Sequence, residues 1–160
     1  MIKHFAVAAT LAVLASSSFA ADRGYVYGGA DFGTTKIKDL SGRSSSFGSF
    51  VGFQATEMFG AEVNVRRLAD TTDNFVDTRL SQIGVSAIAT MPLVNGINVY
   101  GRLGYNHLKI VSDGASDTES KVLYGVGLSY AFTPVISGRV ELQKPHSDVS
   151  NISAGVVFKF

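Results

Sequence analysis

The chain has 160 residues, enough for one domain, and its 14 Lys+Arg nearly balance 13 Asp+Glu. Near-neutrality argues against a nucleic-acid partner, and the absence of Cys excludes a disulfide framework. The mean hydropathy is +0.20 and Gly numbers 17, yet nothing past residue 20 approaches the ~18 continuous apolar residues of a membrane-crossing helix.

The first element is Met1–Ala20, MIKHFAVAATLAVLASSSFA. A short basic start, an apolar run over Phe5–Leu14, and Ser18 and Ala20 before a cleavage point read as a secretory signal peptide. The apolar run is too short to cross about 30 Å of hydrocarbon as a helix. Cleavage would leave one domain, residues 21–160, with one Lys fewer and so equal numbers of acids and bases.

Eight segments of period two follow: Gly24–Gly33, Ser45–Gln54, Phe59–Leu68, Thr78–Met91, Ile97–Ile110, Lys121–Phe132, Val135–Gln143 and Asn151–Phe160. Each is about the 9–11 residues, or a little more, that a tilted strand needs to span a bilayer. The connections alternate in length. TTKIKDLSGRSS, ADTTDNFVD and VSDGASDTES are long and polar, and KPHSDVS is intermediate. ATEM, PLVNG and Thr133–Pro134 are tight. Short turns on one side and long loops on the other are the habit of outer-membrane barrels.

Alternation also separates two faces. Val122, Tyr124, Val126, Leu128, Tyr130 and Phe132 share one face of the sixth segment, opposite Leu123, Gly125, Gly127, Ser129 and Ala131. Ile152, Ala154, Val156, Phe158 and Phe160 oppose Ser153, Gly155, Val157 and Lys159 in the eighth. In the seventh, Ile136, Gly138, Val140 and Leu142 oppose Ser137, Arg139, Glu141 and Gln143. An eight-stranded barrel has room inside only for a close filling of side chains. The large apolar face therefore points outward, where only lipid tolerates it. Phe53, Tyr105, Phe132, Phe158 and Phe160 lie near strand ends, as interfacial girdles require. The expected fold is all-β: an eight-stranded, antiparallel, up-and-down transmembrane β-barrel.

Several stretches resemble one family. GFQATEMFGAEVNV (Gly52–Val65), VYGRLGYN (Val99–Asn106), GVGLSYAFTPVISGRVELQ (Gly125–Gln143) and YGGADFG (Tyr27–Gly33) look like the hairpins and strands of the OmpA-like small outer-membrane barrels, in the same order across nearly the whole mature chain. The resemblance implies the cell outer membrane of a Gram-negative bacterium. Proteins of this type often carry a periplasmic peptidoglycan-binding domain after the barrel; this sequence departs from that pattern, stopping at Phe160, and no such domain is expected. The ending VVFKF resembles the C-terminal signal read by the barrel-assembly machinery, with Phe158 and Phe160 as its aromatic positions. Family barrels carry two interior charge pairs. Glu62 and Arg139 occupy the positions of one. The positions of the other hold Ile88 and Ser129, so both partners are missing together and no charge is orphaned.

Parity makes Glu62, Arg66, Arg102, Arg139 and Glu141 the interior charge network, with Asp31 a candidate third acid. Lys36, Lys38, Arg43, Arg67 and Arg79 lie in or near the extracellular rim, where lipopolysaccharide phosphates would favour them. His107 falls on the outward face without an obvious partner. His146 and Ser147 are adjacent, so on an extended chain they point to opposite faces, a poor geometry for proton transfer. Asp70, Asp73, Asp77, Asp113, Asp117 and Glu119 do not match a calcium-loop spacing. No catalytic residue, metal or cofactor is expected. The expected role is that of a monomeric structural barrel that supports membrane integrity and displays surface loops. A narrow porin is the alternative, and a lipid-modifying enzyme is disfavoured. The sequence leaves open whether the bore conducts and what the loops bind.

Overall fold

The computed structural model describes residues 24–38, 43–73, 76–112 and 115–160, with side chains described outside 69–79 and 110–117. The signal peptide lies outside the described residues. Eight strands follow one another: β1 Tyr25–Ile37, β2 Ser44–Gln54, β3 Phe59–Asp73, β4 Val76–Pro92, β5 Ile97–Ser112, β6 Ala115–Ala131, β7 Ile136–His146 and β8 Val149–Lys159. Each pairs antiparallel with the next, and β8 returns to β1, so the sheet is a closed barrel. Closure pairs the backbone groups that an open sheet edge would leave bare to lipid.

Partner residues stagger as they circle the barrel. Tyr25 leads through Gln54, Gly60, Ile88, Arg102, Gly125, Gln143 and Asn151 to Thr35, ten residues up the same strand (35 − 25 = 10). Such a stagger tilts the strands by roughly 35–45° to the axis. A residue's height therefore follows from its register, and that fixes what stacks in the bore.

Three tight turns close one end. In ATEM, Thr56 Oγ1 accepts from the backbone N–H of Met58 at 3.3 Å and of Phe59 at 3.0 Å. Thr133 repeats the device with Val135 at 3.3 Å and Ile136 at 2.9 Å. The third turn uses Asn95 and Gly96 at φ of 57° and 77°, the left-handed pair that matches the twist of a two-residue hairpin.

The opposite end departs from the expectation of long loops. β3 and β4 stay paired up to Asp73 and Val76, and β5 and β6 up to Ser112 and Ala115. Most of ADTTDNFVD and VSDGASDTES is thus ladder, and Lys144–His146 belongs to β7. The hydrophobic alternation stops at the membrane surface. The hydrogen-bonded ladder has no reason to stop there, because polar side chains satisfy both faces once the hairpin stands in water.

The two faces divide as parity requires. Val63, Val65, Val85, Leu103, Tyr105, Val126, Leu128, Val140 and Ile152 are among the many large side chains exposed on the outside. Soluble monomers rarely expose so broad an apolar belt. The inside corrects one expectation, because it is not only small and polar. Leu68, Leu80 and Leu108 form a buried cluster with Ile37 packed against it, and Tyr27, Phe50 and Val157 form a second with Tyr25. Glycines make the room. A Cβ on Gly29 would stand 2.5 Å from the Phe50 ring, and one on Gly52 2.2 Å from the Tyr27 ring.

Candidate functional site

At mid-height the bore is crossed by six charged side chains from four alternate strands: Asp31 of β1, Glu62 and Arg66 of β3, Arg102 of β5, and Arg139 and Glu141 of β7. All are at most 7% exposed, and three cations face three anions. Asp31 supplies the third acid. Glu62 sits between two arginines, accepting from Arg102 Nη2 at 2.5 Å and from Arg139 Nη1 at 2.8 Å. Glu141 takes the other side of Arg102, with Oε2 3.1 Å from Nη2 and Oε1 2.9 Å from Nε. Arg66 Nη2 reaches both oxygens of Asp31 at 2.6 Å, and Arg139 Nη2 reaches Asp31 at 3.3 Å. Each guanidinium fork can serve several acceptors at once, which suits Arg to such a cluster better than Lys.

Aromatic and amide groups hold the cluster in place. The Arg139 guanidinium lies 3.3 Å from the centre of the Phe50 ring, a cation–π contact. Tyr27 donates its hydroxyl to Glu62 at 3.2 Å, and Tyr100 donates to Glu141 at 2.7 Å. The two tyrosines are halves of one repeated device. Tyr27 partners Gly52, Gly52 partners Glu62, and the tyrosine ring lies flat over the glycine to reach the acid. Tyr100 partners Gly127, Gly127 partners Glu141, and a Cβ on Gly127 would stand 2.4 Å from the Tyr100 ring. Tyrosine, glycine and acid recur on β1–β2–β3 and on β5–β6–β7. On the other side of the cluster Asn151 accepts from Arg66 Nη1 and from Gln143. It donates to Ser46 at 2.7 Å and to Thr35 at 2.9 Å.

Below the cluster, toward the tight turns, the bore opens into a vestibule of about 140 Å³. Tyr25, Tyr27, Tyr100 and Ile88 line its wall, Lys159 and Glu57 stand near its mouth, and Arg139 with Glu62 closes its roof. Ile88 and Ser129 both border it, so the missing second charge pair corresponds to open space. Above the cluster lie Leu68, Leu80 and Leu108 from neighbouring strands, with Ile37 reaching them from β1.

Outside the barrel a collar of cations follows the upper aromatic residues. Arg67 partners Phe47 across the β2–β3 ladder, and Lys144 partners Tyr124 across β6–β7. Lys109 lies beyond Tyr105 and His107 on the same face of β5, and Lys36 occupies the corresponding face of β1. All four are exposed. Lys38 and Arg43 are also exposed, and Lys38 Nζ is 3.9 Å from Asp148 Oδ1. The Arg79 side chain lies outside those described.

The family model for the outer membrane protein beta-barrel domain matches residues 5–160. The chain belongs to that family. The structure of Neisserial surface protein A (NspA) is similar, with a TM-score of 0.62 and 23% identity over 86% of this chain and 97% of that one. The N-terminal barrel of Pseudomonas aeruginosa OprF gives 0.63 and 17%, covering 84% and 97%. Ail, the attachment invasion locus protein of Yersinia pestis, solved with the heparin analogue sucrose octasulfate, gives 0.61 and 18%, covering 86% and 97%. At these identities the likeness shows a shared fold. A comparison with curated proteins finds no match. The family points to the bacterial outer membrane as the location of the barrel.

Two expectations about histidine are corrected by this outer-membrane barrel. His107 does have a partner, because Ser120 Oγ lies 2.8 Å from its Nδ1 across the β5–β6 ladder. His146 and Ser147 also meet, at 3.2 Å, because the chain turns between them and strand parity no longer applies. The backbone N–H of Asp148 donates to His146 Nδ1 at 3.1 Å, so that nitrogen is an acceptor and the ring proton sits on Nε2, 3.6 Å from Glu119. His146 thereby caps the turn between β7 and β8. Among the described residues no group of three or more His, Asp or Glu is placed to hold a metal ion.

Sequence reasoning missed Tyr27, Tyr100, Phe50 and Asn151 as members of the cluster, and Lys109 and Lys144 as members of the collar. The collar pair was within reach of parity, since Lys109 continues the Tyr105–His107 face and Lys144 follows Leu142. The tyrosines and Phe50 were not, because their role depends on glycines in neighbouring strands.

Proposed function

We propose that this outer-membrane barrel is a closed structural protein of the outer membrane, anchored at the outer leaflet by its cationic collar. The observation that carries this reading is the filled bore, crossed at mid-height by six paired, buried charges and above them by a buried leucine cluster. The collar of Lys36, Arg67, Lys109 and Lys144 sits where the apolar belt ends, the level at which lipopolysaccharide phosphates lie. Lys38 and Arg43 extend it toward the hairpin tips. Such phosphates favour the charge-assisted hydrogen bonds that Arg and Lys donate. The paired hairpins above the collar would present strand-borne surface to the exterior, in place of flexible loops. Phe158 and Phe160, both exposed at the lower girdle, would serve as the signal for the barrel-assembly machinery after export on the Met1–Ala20 leader. Closure of the ladder leaves the monomer self-sufficient.

The test is planar-bilayer recording of the refolded protein, in which silence is expected and reproducible unit conductance would overturn the reading. Loss of preferential binding to phosphorylated over dephosphorylated lipid A in the Arg67→Ser/Lys144→Ser variant would support the collar, and unchanged preference would remove it. A narrow porin is the second reading, and the vestibule favours it, because half of a path is already open. His146 does not favour an enzymatic role, because its Nδ1 lone pair is held by a backbone N–H.

A further inference from the structure

Just above the upper aromatic residues, the outer face of β3–β6 carries one unbroken cross-strand row. Arg67 partners Ser81, Ser81 partners Lys109, and Lys109 partners Thr118. Cation and hydroxyl alternate along it. Arg67, Lys109 and Thr118 are exposed, and Ser81 is half-buried. The rest of the collar is built differently. Lys36 partners Ser150 and Lys144 partners Tyr124, and among the described residues neither shares that neighbour with a second cation. Ser81 also ends an apolar strip. Below it on the outer face of β4 stand Ile83 and Val85, both more than half exposed. The row one step down joins Val65, Ile83 and His107, and the next joins Val63, Val85 and Tyr105. The surface thus passes from charged to apolar within two residues of each strand, roughly 7 Å.

We infer that Ser81, flanked by Arg67 and Lys109, is the seat of a lipid-borne phosphate, and that the Ile83–Val85 strip beneath it receives an acyl chain of the same molecule. The occupant is a phosphomonoester-bearing glycolipid of the outer leaflet, the lipid A of lipopolysaccharide. This inference rests on the collar reading and narrows it from a ring to one site. Neighbouring strands lie about 4.8 Å apart, so the two cations stand about 10 Å apart with Ser81 midway. The long side chains of Arg and Lys can close that gap on one phosphate from both sides, Arg with its fork and Lys as a point charge. The Ser81 hydroxyl adds a donor from beneath. A phosphomonoester carries close to two negative charges, which matches two cations. A phosphodiester carries one and leaves a cation over. Free phosphate would use the polar row and ignore the strip. Only an amphiphile with its phosphate at the polar edge uses both.

Native mass spectrometry of the refolded barrel in detergent micelles tests it, with phosphorylated and dephosphorylated lipid A as the probes. Arg67→Ser, Ser81→Val and Lys109→Ser are each expected to weaken binding of the phosphorylated lipid about tenfold, the scale of one hydrogen bond to a charged group. Binding of the dephosphorylated lipid should not change. Lys36→Ser and Lys144→Ser are expected to bind both lipids as the wild type does. Each change lies on the outer rim, and folding is checked by the shift in gel mobility on heating. Equal losses in all four cation variants, with Ser81→Val unaffected, would overturn the site and leave the collar standing. A wild-type barrel with no preference for the phosphorylated lipid would overturn both. Phosphatidylglycerol bound as tightly as lipid A would refute the phosphomonoester. Displacement of bound lipid A by inorganic phosphate at equal concentration would show that the strip adds nothing, and the lipid assignment would fall.

Discussion

Replacing Glu62 by Ala removes the acid that Arg102 and Arg139 share, at 2.5 Å and 2.8 Å, and the acceptor of the Tyr27 hydroxyl at 3.2 Å. Arg102 keeps Glu141 and Arg139 keeps Asp31 at 3.3 Å, but three cations then face two anions. Removing one partner of a buried ion pair costs about 3–5 kcal/mol, because the remaining charge stays out of water. With a urea slope of about 1–3 kcal/mol per molar, the unfolding midpoint should fall by roughly 1–5 M. The assay is urea unfolding of the refolded barrel in detergent micelles, with folded and unfolded forms separated by gel mobility. Glu57→Ala is the control, since Glu57 is exposed in a tight turn and should move the midpoint little. Glu62→Gln should fall between the two, because the amide oxygen still accepts from the arginines. Equal midpoints for Glu62→Ala and Glu57→Ala would refute the account of the cluster as the centre of stability.

The tyrosine–glycine device makes a second prediction. Gly127→Ala must push the Tyr100 ring off Glu141, a cost of about 1–3 kcal/mol for overpacking, whereas Gly101→Ala, with nothing within 4 Å of its added Cβ, should be nearly neutral in the same assay. Asn151→Ala strips hydrogen bonds from Arg66, Thr35, Ser46 and Gln143 at once, and should destabilise more than Asn98→Ala, whose side chain makes a single 3.4 Å contact with Ser129. Comparable midpoints for the two would remove Asn151 as the hub of the upper side. Gly96→Ala places a Cβ at φ +77°, and should lower the stability by about 1 kcal/mol, read as a lower urea midpoint by the same gel shift.

Alternation was enough to find the strands within the membrane, because lipid imposes a period of two on one face and a narrow bore imposes smallness or polarity on most of the other. Val126, Gly127, Leu128 and Ser129 can be sorted by that rule alone, and so can Glu62 and Arg139. The tight turns were also legible, since Thr56, Thr133 and Asn95–Gly96 carry their own local chemistry. The extent of the hairpins was not, because a ladder in water leaves no hydrophobic signature at Thr71, Thr72 or Thr78. Nor was the pairing within the cluster. Which of three arginines meets which of three acids depends on the stagger of the closed barrel, which sets Asp31 beside Arg66 and Arg139 across a separation of 108 residues from the latter. Parity makes Arg139 an inward residue. Only the closed sheet places Glu62, Asp31 and the Phe50 ring around it, because their common height is a property of register and no single strand contains it.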